Sequence, residues 1–148
     1  MIHDVTTDAD DPPPFVALHE LRLQCNNGAA YSGLRGARRH QRYPDIVPAL
    51  YPRPAAHIFQ AALAAAGALQ WTIAAAVESE GRIEATATTR WMHFKDDVVI
   101  RIRADTHANG TRLDIRSASR VGSSDFGVNA RRIHRFLQEM DNRLKTNS

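Results

Sequence analysis

The chain has 148 residues, 43% hydrophobic and 24% charged, a length and composition that suit one globular domain and indicate neither wholesale disorder nor a membrane protein. Its formal net charge of +3 and pI near 9.5 are mildly basic, and the lone Cys25 excludes an internal disulfide and any metal site built on several thiolates. Residues 1–14 form an acidic arm: Asp4, Asp8, Asp10 and Asp11 precede Pro12-Pro13-Pro14, which removes three backbone donors and favours extended chain. The domain proper spans 15–148. Phe15 to Leu23 has mixed periodicity and fits a short strand. Segment 26–53, punctuated by Asn27-Gly28, Gly33, Gly36, Pro44 and Pro48, reads as a long loop, made basic by Arg35, Arg38, Arg39, Arg42 and Arg53. Ile58, Phe59, Ala62, Leu63 and Ala66 recur at helical spacing and predict a helix over 54–67, stopped by Gly67. Strands follow within 69–121. In the first, Trp71, Ile73, Ala75 and Val77 share one side; in the others, turns at 78–81, 93–96 and 105–110 separate alternating segments, giving an antiparallel meander. Phe126, Ala130, Ile133, Leu137, Met140 and Leu144 then form the apolar stripe of a helix over 124–145, with Ser123 or Ser124 as N-cap and Asp125 just inside.

The predicted fold is therefore α+β: a single antiparallel sheet of four or five strands with two helices on one face, in the order βαββββα. By analogy it is similar to helix-grip and TATA-binding-protein-like folds, which bind ligands or partners more often than they catalyse.

The chemistry concentrates on the sheet. One face of the strands is apolar, and the other carries arginine, carboxylate and hydroxyl groups. The expected register sets Arg90 across from Val99 and Val99 across from Arg116, with Thr88 across from Arg101 and Arg101 across from Asp114, and leaves Trp91 on the apolar side. Arg90, Arg101, Arg116 and Arg120, with Ser124, Asp125 and the amides of the helix start, are then the candidate site for an anion. The competing reading has the same arginines in ordinary ion pairs. Asp4, Thr6, Thr7 and Asp8 of the arm are candidates to dock on the arginine face and occupy it in the free state. Among enzymatic readings, Glu84, Asp125 or His134 could serve a hydrolase or isomerase, but no Gly-x-Ser-x-Gly, P-loop or dinucleotide fingerprint is present. The seven histidines show no zinc-helix spacing, so no metal or other cofactor is expected. Tyr31 and Tyr43 flank the basic run, but nucleic-acid binding is disfavoured because no aromatic is expected on the polar sheet face.

Several motifs agree in order with one family. His3-Asp4-Val5-Thr6-Thr7-Asp8 with Asp11-Pro12-Pro13, Tyr43-Pro44-Asp45-Ile46, Ile83-Glu84-Ala85-Thr86, Phe94 to Arg101, and Arg116 to Gly127 resemble DUF1499, a widespread domain of unknown function. The resemblance runs from Ile2 to about Leu137. It implies a bacterial type of protein with relatives in photosynthetic eukaryotes, and it brings no activity, cofactor or catalytic residue. The absence of a basic and apolar leader at Met1 points to the cytoplasm. Relatives with hydrophobic segments ahead of this domain keep an exported or membrane-associated location as the alternative. The function expected is a non-enzymatic module that binds an anionic small molecule, lipid head group or acidic protein segment on the arginine face. The alternatives are the small enzyme above and a purely structural or interaction domain. Oligomeric state has no signature in the sequence.

Overall fold

A computed structural model describes residues 2–107 and 109–146. Six antiparallel strands form one sheet in the order β1-β6-β5-β4-β3. They are β1 (Asp4–Thr6), β2 (Ala49–Tyr51), β3 (Thr72–Val77), β4 (Arg82–Thr88), β5 (Lys95–Asp105) and β6 (Gly110–Ser119), with β2 also on β6. Among the described residues the α-helices are α1 (His19–Leu23), α2 (Gly36–Arg42), α3 (Ala55–Ala68) and α4 (Val128–Thr146). The meander β3 to β6 and the two long helices agree with the sequence pattern. The sheet gains two strands beyond it, and the chain gains two short helices. β1 and β2 have three residues each, too few for a period-2 signal, and both take their register from β6: Val5 opposes Ser117 and Leu50 opposes Arg112. The segment Phe15 to Leu23, expected as a strand, instead carries α1, and the long loop contains α2 and β2.

Alternation in β4, β5 and β6 sends Ile83, Ala85, Val98, Ile100, Leu113 and Ile115 to one face. Against it lie α3, through Ile58, Phe59, Ala62 and Ala66, and α4, through Ala130, Ile133, Phe136 and Met140. Trp71 stacks on Phe136 with ring centroids 5.5 Å apart. Each large aliphatic or aromatic side chain on this face contributes roughly 2 kcal/mol by burial. Helix α3 runs through Gly67 rather than stopping there. The residue that leaves the helix is Gln70, at φ 63°, while the Trp71 amide donates to the Ala66 carbonyl at 3.0 Å. At the start of α4 the cap is Asp125 rather than a serine. Its carboxylate accepts the amides of Gly127 at 2.7 Å and Asn129 at 3.2 Å.

Three details of the strand reading are corrected. β4 ends at Thr88, which opposes Lys95, so Arg82 opposes Arg101 and Glu84 opposes Val99. The β-prone Thr-Arg-Trp run belongs to a loop, because Thr89 closes it. The Thr89 amide donates to the Phe94 carbonyl at 2.8 Å, and the Thr89 hydroxyl both donates to the Trp91 carbonyl at 2.7 Å and accepts the Phe94 amide at 2.9 Å. Arg90 is thus off the sheet and Trp91 is exposed. The β5–β6 pairs Val99 with Arg116 and Arg101 with Asp114 are as expected. In β3, an edge strand, a bulge between Ile73 and Ala75 breaks the alternation, and Ile73 is 38% exposed. Phe126 precedes α4 and lies outside its apolar stripe at 87% exposure, and Phe136 fills the core instead.

Candidate functional site

The second face of the sheet carries Glu84, Asp97, Arg101, Asp114, Arg116 and, at its end, Arg120. It lies beneath residues 7–35, which cross it as extended chain, α1 and turns. Most of its charges are buried: Glu84, Asp97 and Asp114 are 0% exposed and Arg116 is 2% exposed. Such charges persist in a fold only when paired and hydrogen-bonded, and each of them is. Arg116 makes a two-pronged contact with Asp4, Nε to Oδ1 at 3.0 Å and Nη2 to Oδ2 at 2.9 Å, and also donates to the carbonyls of Pro13 and Ala29. Its guanidinium lies 4.6 Å from the Phe15 ring centroid, and that of Arg22 lies 4.8 Å from the same centroid.

Asp97 is shared between two arginines, Arg22 at 2.9 Å and Arg120 at 2.9 and 3.0 Å, and accepts the Thr86 hydroxyl as well. The hydrogen bond to Asp97 is the main cause that holds Arg120 above the usual arginine range. Arg101 and Arg112 both reach Asp8, at 3.2 and 3.0 Å. Thr7 donates its hydroxyl to Asp114 at 2.7 Å, and Thr6 accepts the Asp8 amide at 3.2 Å. Thus Asp4, Thr6, Thr7 and Asp8 all lie on or beside the arginine face. Tyr31, packed over Arg116, has its pKa pushed up to about 12, first by burial and then by the nearby Asp4 carboxylate.

The residues considered for catalysis do not meet. The Glu84 carboxylate is consumed by the amides of Val16, Ala17 and Leu18, at 2.9, 2.7 and 3.1 Å, and by an ion pair with Arg82. Asp125 caps α4, Ser124 stands just before it, and His134 is exposed on the helix. Among the described residues no three His, Cys, Asp or Glu side chains gather as metal ligands, and no helix is long and apolar enough to cross a membrane.

Open arginines occur elsewhere. A groove of about 790 Å³ runs between the end of α3, the end of β4 with its loop, and the first turns of α4. Arg90, Arg131, Arg132 and Arg135 line it, along with Thr88, Thr89, Gln70 and Trp71, and no carboxylate does. Arg132 is held by Asp96 at 2.8 Å. Arg90, Arg131 and Arg135 are exposed and make no ion pair among the described residues. Asp96 itself is 2% exposed, and its pKa is raised by burial, with Arg132 acting in the opposite direction. It stands behind Arg132 and does not line the groove. A second groove, of about 720 Å³, lies between α2 and residues 124–127, with Arg38, Arg42 and Asp125 in its wall.

Of the four arginines in the first groove, only Arg90 belongs to the candidates read from the sequence. Arg131 and Arg135 stand four residues apart on the polar side of the α4 stripe. That spacing is the signal that identifies them as one patch.

No curated protein is significantly similar to the chain. The family model described as "protein of unknown function (DUF1499)" matches residues 4–140, from the strand that carries Asp4 to the helix turn that carries Met140, and the chain belongs to that family.

Proposed function

We propose that this domain is a non-enzymatic binding module for an anionic ligand, and that the ligand sits in the groove of Arg90, Arg131 and Arg135. One observation carries the reading: these guanidiniums share a concave surface without a carboxylate, whereas Arg101, Arg116 and Arg120 each have an internal acid. Like charges gathered without a counter-charge repel, and a bound anion relieves that repulsion while accepting forked hydrogen bonds. The groove volume of about 790 Å³ falls in the range of small-molecule sites. On this reading Arg101, Arg116 and Arg120 serve the fold with Asp8, Asp4 and Asp97 as their respective permanent partners, and the arm is not a removable plug.

Titration calorimetry with inorganic pyrophosphate tests the proposal. Arg131→Ala/Arg135→Ala is expected to lose at least about 100-fold in affinity, since charge-assisted pairs are each worth about 1.5–3 kcal/mol. Arg103→Ala, which removes a half-exposed arginine from the sheet face, is expected to bind as the parent does. Equal binding by all three proteins would overturn the reading. A second reading, an interaction domain with no small ligand, is favoured by the saturation of the sheet arginines. It becomes the better one if the parent protein binds no anion.

A further inference from the structure

We infer that the anion is the phosphate-bearing surface of a lipid bilayer, and that the loop of residues 89–94 is the apolar anchor beside it; this rests on the groove reading above. Thr89 and Arg90 line the groove, and the three residues that follow leave it for solvent. Trp91 is 79% exposed and Met92 60%, with Phe94 at 46%. Single exposed apolar residues are ordinary on a protein surface, but three of them on one six-residue loop make a contiguous patch.

The loop is held in shape rather than left slack. Three hydrogen bonds through Thr89 close its base, at 2.7 to 2.9 Å. Met92 and His93 stand at φ 67° and 53°, left-handed backbone that costs a non-glycine residue free energy in each case. Strain kept at an exposed position, in a loop that displays tryptophan and methionine to water, is explained if the displayed side chains have a partner. Phe126, 87% exposed and also left-handed at φ 52°, precedes the α4 residue Val128 that lines the groove, and it adds a further apolar group near that end of the helix.

The chemistry of the partner follows from the combination. Tryptophan belongs at the boundary between head groups and acyl chains, and arginines beside it reach phosphates at the same depth. Three open arginines supply attraction to an anionic leaflet. Single-stranded nucleic acid also pairs arginine with aromatic rings, but it needs rings in a groove on which bases can stack. Here Trp71, the groove's aromatic, is already stacked on Phe136, and the free apolar groups project from a loop tip that includes methionine.

Co-sedimentation of the full chain with phosphatidylcholine vesicles, with and without phosphatidylserine, tests this, together with iodide quenching of tryptophan fluorescence. Trp91 supplies the quenchable signal because Trp71 is buried. The expected result is binding to the anionic vesicles alone, with a blue shift and loss of quenching. Arg131→Ala/Arg135→Ala should weaken that binding about 30-fold, at about fivefold for each basic residue near an anionic surface. Trp91→Ala should weaken it about tenfold while leaving pyrophosphate affinity unchanged. Pyrophosphate binding without vesicle binding would overturn this inference and leave the anion groove standing. Vesicle binding that ignores both phosphatidylserine and the two arginines would refute the groove reading as well. Protection of Trp91 by a single-stranded oligonucleotide, with none by vesicles, would refute the lipid assignment.

Discussion

Removing either partner of the Asp4–Arg116 pair isolates a charge that is 2% exposed. Asp4→Leu leaves the Arg116 guanidinium facing the carbonyls of Pro13 and Ala29 and the Phe15 and Tyr31 rings, with no carboxylate. Arg116→Met leaves the Asp4 carboxylate with one remaining donor, the Ser32 amide at 3.1 Å. Each single change should cost about 3–5 kcal/mol, the usual penalty for an uncompensated buried charge. At roughly 2–4 °C per kcal/mol for a domain near this size, that lowers Tm by about 10 °C. The double variant buries no charge and leaves one amide and two carbonyls without partners, for about 3–6 kcal/mol in all. Independent sites would add to roughly 6–10 kcal/mol, so at the middle of these ranges the coupling between the pair is about 3 kcal/mol. Urea unfolding of the four proteins measures it. Additive losses, or single losses under about 1 kcal/mol, would show that the arginine face is not locked by its own acids and would return Arg116 to the list of ligand-binding candidates.

Three further outcomes follow from the geometry. Glu84→Gln turns one acceptor oxygen into a donor that faces the Val16 and Leu18 amides in one orientation or the Ala17 amide and Arg82 in the other, so it should cost about 3 kcal/mol and speed hydrogen exchange at Val16, Ala17 and Leu18 above all other amides. Gly81→Ala should destabilise by more than about 2 kcal/mol, because Gly81 stands at φ 61° and a Cβ there would collide with the Ile102 carbonyl; unchanged urea unfolding would contradict this. Asp96 has a folded pKa raised above the ordinary 3.8 by burial, so the fold holds its proton more tightly than the unfolded chain does. Its contribution is most favourable below pH 3.8 and is lost as pH rises through the folded value. The stability of Asp96→Asn relative to the parent should therefore improve between pH 3 and pH 7, and a difference that moves the other way in urea titrations would refute the assignment.

The parts of the fold that announce themselves locally were legible in the sequence, and the parts set by distant partners were not. Helix α4 shows its core stripe because Ala130, Ile133, Leu137, Met140 and Leu144 repeat at three- and four-residue offsets over 19 residues. Strands β5 and β6, at 11 and 10 residues, gave the register that pairs Val99 with Arg116. By contrast β1, β2 and α1 have three to five residues each, and nothing in Asp4-Val5-Thr6 separates an acidic arm from an edge strand until Ser117 is placed beside Val5. The misplaced end of β4 has a physical cause of the same kind. Thr89, Arg90 and Trp91 have strand propensity, but one threonine with three hydrogen bonds, two of them through its side chain, outweighs it.

The same distinction governs the candidate site. Alternation alone marked the polar face of the sheet and its arginines, yet a polar face in sequence is not an open face in the fold. β1 brings Asp4, and residues 7–35 bring Asp8 and a row of amides, down onto it. Desolvation then makes full pairing obligatory: Arg22, invisible to any sheet pattern, joins Arg120 on Asp97, and Glu84 takes its amides. Because those acids are spent inside, they are not available to neutralise the surface. Arg90, Arg131 and Arg135, which make no ion pair among the described residues, come from a loop and a helix that share no periodicity, and only the approach of the start of α4 to the end of β4 unites them in one groove. A ligand site on this domain is thus better sought where the fold leaves positive charge uncompensated than where the sequence is richest in arginine.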